Sequence, residues 1–576
     1  MHKKIIALSI ATGLLAGCNA EPPVKPIAAP AQVTAADTIY FGGDILTMDG
    51  ETPNYVEAVA TLNGKILFAG SKDDVMPYKF GQTNLVNLKG QTLMPGFIDA
   101  HGHISQLAVS LSNANLAAPP YGTSDTFENL KQTLKDYIKN NHIKPGEWVV
   151  GTGYDTSILP NHPHKELLDE VSTENPILII HSSGHIGVVN SKAMSLAGIT
   201  NASKNPKGGV IQRGVRGEPN GVLEESAMWP VMLKLPQPDN MERLKQLDEA
   251  QRSYASFGVT TTQDGRTTPM DFELLHLAQE NERLYLDVVA YPAIEMVNRE
   301  WLPKFEQYSR YQNHLRIGGV KLSLDGSLPG KTAHLSEHYY VPPHGHDSKF
   351  TGYPAFDDKT VNHLVQVAWE NDWQLLVHCN GDAAGDQMLN AIEQLGDISS
   401  KDWRPVMIHA QTVREDQLDE MKKLNVIPSF EMTHPYLFGD YYIGSVLGKA
   451  RGERNNPAGS AARRQMPFTF HTDSPVVIPD MMMTVWSGVN RVTRNGKTIG
   501  EEQKVTPYQA LQAITTNAAY QNFEENHKGS ISTGKDADLV ILNRNPLKVD
   551  PMEIKNIQVM TTIKDGHPVW QRTERK

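Results

Sequence analysis

Residues 96–103 read GFIDAHGH, an apolar start followed by Asp99, His101 and His103 at alternating positions. Seven further segments share that design of a short apolar run ending in polar residues: GVTTTQDG (258–265), LDVVAYPA (286–293), IGGVKLSLDG (317–326), QLLVHCNGD (374–382), PVMIHAQ (405–411), VIPSFEMTH (426–434) and PFTFHTDS (467–474). Helical patterns such as MERLKQLDEAQRSYASF and TVNHLVQVAWEN lie between several of them. Eight strands alternating with helices predict an α/β chain built as a (β/α)8 TIM barrel, with its chemistry at the C-terminal strand ends. The stretch of about 106–238 is too long for one connection and reads as an insertion after the first strand, with GEWVVGTGYD and PILIIHSSGHIGVVN as strands of its own. Residues 37–94 and 520–576 are β-patterned instead, with Asn63-Gly64 as a two-residue hairpin signal. They predict a small β-sandwich domain made from both chain ends, around a barrel domain over 95–519.

Side chains two apart in a strand share a face, so His101 and His103 can reach one metal ion. An H-x-H pair is weak evidence in a chain with 21 histidines. His378 and His409 end the fifth and sixth candidate strands, and Asp473 ends the eighth. A single histidine after an apolar run is more often a hydrogen-bonded core residue, but two at equivalent strand ends shift that balance. Lys321 sits among Val320, Leu322 and Leu324. A buried lysine has to be paired, neutral or modified, and the plainest partner in sequence is Asp325.

Taken in order, PGFIDAHGH, VKLSLDGS, VHCNGDAA, IHAQ and HTDSPV resemble the amidohydrolase superfamily, and most closely its family 3 branch, which includes N-substituted formamide deformylases. The resemblance spans about residues 37–570. It implies a metal-dependent hydrolase of carbon–nitrogen, amide-type bonds in a small molecule. It implies zinc as the divalent metal, with one or two ions, held by His101, His103, Lys321, His378, His409 and Asp473. Lys321 would be carbamylated by CO2 to bridge the ions, and Asp473 would also move the catalytic proton. His471 departs from the relatives, where glycine is common two residues before the aspartate. Tyr154, Asp155, His185 and His434 are the candidate substrate-binding residues, each with a plain alternative as rim or structural side chains. Met481-Met482-Met483 reads as adaptable packing. A one-metal deaminase or cyclic-amide hydrolase, and a non-catalytic surface binding or regulatory protein, remain alternative readings.

Lys3 and Lys4 precede an apolar run of 13 residues, Ile5 to Gly17. That is too short to span a bilayer, which takes about 20 residues, and suits a signal peptide. Leu15-Ala16-Gly17-Cys18 resembles the bacterial lipobox, which implies a signal over 1–18, lipidation at Cys18 and a tether over 19–36. Asn19, in place of an aspartate, favours the outer membrane, with the body facing the periplasm. The net charge of −11 over 576 residues argues against holding nucleic acid by phosphate neutralisation. With two cysteines, Cys18 and Cys379, no disulfide framework is available. The expected partners are a small-molecule amide and a membrane reached only through the anchor; a homodimer is compatible with the sequence.

Overall fold

The computed structural model describes residues 34–573 apart from Gln237 and His344. The signal peptide, Cys18 and nearly all of the tether lie outside the described residues. Among those described, no helix is long and apolar enough to cross a membrane.

The β-patterned ends meet in one sheet. Five strands from the first hundred residues join Leu539–Leu542, Val559–Lys564 and His567–Gln571 in a connected eight-stranded sheet. The seam is Thr92–Pro95, which runs parallel to Thr38–Leu46 and antiparallel to Leu539–Leu542. The expected sandwich is therefore hydrogen-bonded as one connected sheet, with Asn84–Asn87 branching from Thr38–Leu46, because the short strand Thr92–Pro95 offers an edge to each chain end. Asn63 and Gly64 both take positive φ, +49° and +74°, as a type I′ hairpin turn requires.

The middle of the chain holds two parallel sheets. One orders Leu315–Ile317, Asp287–Pro292, Val259–Thr267 and Phe97–Ile98; the other orders Gly319–Ser323, Gln374–Cys379, Val406–His409, Ile427–Glu431 and Thr469–His471. Both faces of most of these strands are buried, the usual condition of parallel strands covered by helices. The fourth candidate strand is divided at Gly318, and its halves pair with different neighbours. A Cβ at Gly318 would press into Tyr291 and Val289 at 2.6 Å, so the backbone passes that point only as glycine. One bridge, Ala293 to Lys321, links the sheets on that side. At the opposite edges the Asp473 N–H donates to His101 O at 3.1 Å, and the His103 N–H donates to Ser474 O at 2.8 Å. The result is an α/β arrangement of two parallel sheets that meet on both sides rather than one uninterrupted eight-strand ring.

Within the stretch expected as an insertion, six strands from Ala114–Asn115 to Pro219–Glu225 form a mixed sheet with its own apolar core around Leu116, Leu130, Leu134 and Ile177. Met481, Met482 and Met483 are buried in the main core, in keeping with a packing role. At the N-terminal end of the parallel strands, Asp287 lies 2.6 Å from Lys528 and 3.1 Å from Lys564, and accepts from His314 at 2.8 Å. Burial alone would raise the Asp287 carboxyl, but these lysines hold it well below its ordinary range. Lys564 belongs to the terminal sheet, so this cluster fastens that sheet to the parallel strands.

Candidate metal centre

The first strand ends at Ile98, not His103. His101 and His103 instead sit on the turn before the helix Ile104–Leu111. Turn geometry, not strand alternation, brings them together. Asp99 secures the turn by accepting from the Thr472 N–H at 3.0 Å and its hydroxyl at 2.6 Å. Gly265 makes room for it, since a Cβ there would overlap the His101 ring.

The six side chains expected as ligands converge. His103 Nε2 lies 3.0 Å and His101 Nε2 3.4 Å from Asp473 Oδ1. Lys321 Nζ lies 2.8 Å from His101 Nε2, and His409 Nε2 lies 3.0 Å from His378 Nδ1. His101, His409 and Asp473 each offer a donor atom within 4.8 Å of the others. Each imidazole is held from outside by its second nitrogen. The Nδ1 of His101 donates to Gln263 Oε1 at 3.3 Å, that of His103 to Gly265 O, and His378 Nε2 donates to Gly326 O at 3.0 Å. Such outer partners fix ring orientation and turn the lone pair of the other nitrogen inward.

The electrostatics agree with a cation site. Burial and then the Lys321 charge push His101 well below its ordinary range, and the same causes take His378 to about 3, so both rings are neutral donors. Burial lowers the Lys321 amine to about 7. Burial opposes ionisation of Asp473, but the hydrogen bond from His103 and the charges of His103, His471 and Lys321 outweigh it and leave the carboxyl at about 2. Buried neutral imidazoles facing an ionised carboxylate suit a divalent ion of the zinc type. The residues present fit such a metal.

Asp325 is not the partner of Lys321. It accepts the backbone N–H groups of Asn380, Gly381 and His334 at 3.0, 2.7 and 2.9 Å, and so braces the loop after the fifth candidate strand. Cys379 is buried and its thiol is pushed well above its ordinary range by burial, which makes it inert.

A cavity of about 30 Å³ adjoins the cluster, lined by His185, His378, His409, Glu431, His434 and Asp473 among others. His185 and His434 thus reach the space expected of them. Tyr154 and Asp155 do not. Tyr154 is wholly buried in the core of the mixed sheet, its hydroxyl bonded to His162 Nδ1 at 2.9 Å. Asp155 is engaged by Arg494 at 3.1 Å. A larger cavity, about 830 Å³, opens around Asp287, Arg316 and Lys528, and none of the expected ligands lines it. The small one is the cavity that adjoins the convergent donors.

Three residues of the site were not expected from the sequence. Gln263 orients His101. Glu431 and His471 approach the outer nitrogen of His409, with Glu431 Oε2 at 3.5 Å and His471 Nε2 at 3.3 Å. Their only sequence signals were a polar residue inside an apolar strand and a histidine two before Asp473.

Residues 84–570 match the model of the amidohydrolase family. The chain is 28% identical over 536 residues to protein LONG AFTER FAR-RED 3 of Arabidopsis thaliana, covering 91% of this chain and 89% of that protein. It is 26% identical over 564 residues to an N-substituted formamide deformylase of Arthrobacter pascens, covering 93% and 99%. An uncharacterised metal-dependent hydrolase of Pyrococcus horikoshii shares the fold with a TM-score of 0.69 at 24% identity, over 89% of this chain and 99% of that one.

Proposed function

Because the chain belongs to the amidohydrolase family, we propose that it is a metal-dependent hydrolase of a carbon–nitrogen, amide-type bond in a small molecule. The observation that carries this reading is the inward set of neutral imidazoles around Asp473, each His101, His103 and His378 ring braced from outside. His101, His103 and Asp473 would hold one divalent cation and His378 and His409 a second, and zinc is the metal the donor set suits. Bound zinc would acidify water and polarise a carbonyl. The rest falls to the protein. Asp473 accepts a proton at its carboxylate and returns it to the leaving nitrogen. His185, held by Glu225 at 2.9 Å, and His434 bind the substrate across the cavity.

Lys321 favours two ions over the one-metal deaminase reading. An amine lowered to about 7 is about half unprotonated at neutral pH, and in that form it would add CO2 and release a proton, giving a carbamate carboxylate that could serve both ions. The same reading treats the two parallel sheets as halves of one barrel over 95–519, carrying the insertion of about 106–238, with the composite domain over 37–94 and 520–576. It places the protein in the bacterial envelope on a lipidated Cys18, facing the periplasm and more favourably at the outer membrane. The name of the Arthrobacter pascens relative supports amides as the first substrates to try. The test is turnover of a panel of N-formyl, N-acyl and cyclic amides by the metal-loaded protein. Hydrolysis of at least one class is expected. Full metal occupancy with no turnover across the panel would favour a binding protein.

A further inference from the structure

A second set of donors lies on the far side of His409. His409, Glu431 and His471 each place a ligand atom within 4.8 Å of the others, and all three are buried. They come from the ends of three adjacent parallel strands, where Glu431 and His471 are direct register partners. The set is separate from the centre described above because it uses the other nitrogen of His409. Nε2 faces His378 at 3.0 Å, while Nδ1 faces His471 Nε2 at 3.3 Å and Glu431 Oε2 at 3.5 Å.

Those two spacings have a simple geometric meaning. Zinc–nitrogen and zinc–oxygen bonds are about 2.0–2.2 Å in tetrahedral sites, and two ligand atoms on one such ion stand about 3.3–3.6 Å apart. The outer contacts of His409 match the edges of that tetrahedron. His471 is braced as a ligand is braced. His471 Nδ1 is bonded to Ser429 Oγ at 2.8 Å, which leaves Nε2 for a cation. Glu431 Oε1 lies 2.6 Å from His434 Nε2, and the Tyr442 hydroxyl lies 2.7 Å from His434 Nδ1. Glu431 Oε2, which accepts only a long hydrogen bond from Gln411 Nε2 at 3.5 Å, is the oxygen turned to the cation.

We propose that His409 Nδ1, Glu431 and His471 form an additional site for a divalent transition-metal cation, adjoining the pair of ions proposed above and sharing His409 with it. With cations on both ring nitrogens His409 is a bridging imidazolate, its last ring proton having passed to solvent. The added ion neutralises the buried Glu431 and fixes the His409 ring, and is thus a positioning cation rather than one that meets substrate. It takes a borderline metal, zinc or cobalt, rather than calcium or magnesium, since two of its three ligands are imidazoles.

The site is tested by anomalous diffraction from crystals of the mature protein grown with cobalt or zinc, together with metal analysis of the protein and two variants. A peak is expected about 2.0–2.2 Å from His409 Nδ1, His471 Nε2 and Glu431 Oε2. His471→Ala and Glu431→Gln are each expected to lose one equivalent of metal per chain and to keep the metal at His101, His103 and Asp473. Occupied cations at those three residues with no density beside His471 would overturn the added site. So would unchanged stoichiometry in both variants, which would leave Glu431 as an acceptor for the His409 Nδ1–H. A peak beside His471 with none beside His101 would instead refute the main centre. Should a variant fail to fold, the diffraction test on the unsubstituted protein still decides.

Discussion

Gln263 is the residue through which the interior of the fold grips the metal centre, and Gln263→Leu tests that connection. Its Oε1 accepts from His101 Nδ1 at 3.3 Å, and its Nε2 donates to Asn522 Oδ1 at 3.1 Å. Leucine is close in size but offers neither atom. Loss of an outer partner to a metal-binding histidine typically costs about 10–100-fold in metal affinity, or about 1.4–2.8 kcal/mol. A second cost falls on folding. The Asn522 carboxamide is buried, its Nδ2 has no hydrogen-bond partner among the described residues, and Gln263 donates to its Oδ1. An orphaned buried acceptor costs about 1–3 kcal/mol. Competition against a chromophoric chelator measures the first cost, and urea denaturation of the metal-free protein measures the second. Gln263→Glu separates them: it keeps an acceptor for His101 but removes the donor to Asn522, so metal affinity is expected to recover while stability does not. Metal affinity in Gln263→Leu within twofold of the unsubstituted protein would refute the idea that this contact orients His101.

Four further outcomes follow from the structure. Gly265→Ala would drive a Cβ into the His101 ring; metal content is expected to fall by about one equivalent while far-ultraviolet circular dichroism stays unchanged. Asp287→Asn removes the carboxylate shared by Lys528, Lys564 and His314 and should destabilise the fold by about 3–5 kcal/mol in chemical denaturation, as breaking a buried ion pair does. Because the Asp287 carboxyl is held well below its ordinary range, its contribution is complete above the unfolded value of about 3.9 and is lost as pH falls toward the folded value, so the stability deficit of Asp287→Asn should shrink below pH ~4. Removing bound metal by dialysis against a chelator should lower the melting temperature, since a ligand at 100 times its Kd stabilises by about 2.7 kcal/mol; an identical melting curve before and after would contradict a buried metal centre.

The parts legible in the sequence were those set by local pattern. VTTT draws on β-branched residues, and LLV and VMI on apolar ones; each lies in a strand close to the expected place. Asn63-Gly64 fixed its hairpin because both positions need positive φ. What depended on contacts between distant segments was not legible. Nothing local in IGGVKLSLDG marks Gly318 as the point where pairing switches sheets, since the obstacle is Tyr291 and Val289 on another strand. The alternation of His101 and His103 suggests strand neighbours, yet a turn brings them together, braced by Thr472 through Asp99. Glu431 and His471 acquire meaning only from strand register, which places them side by side. Tyr154 and Asp155 are polar residues at the end of GEWVVGTGYD, but packing takes the first, which closes the strand Val149–Tyr154, and Arg494 takes the second.

The central claim is that His101 and His103 hold a catalytic cation against Asp473. It is tested most directly by elemental analysis of the purified protein beside its His101→Ala/His103→Ala double variant, with hydrolysis of the amide panel followed in parallel. The account predicts that the double variant loses at least one equivalent of divalent metal per chain and all turnover while remaining folded. Unchanged metal content in a folded double variant would contradict it.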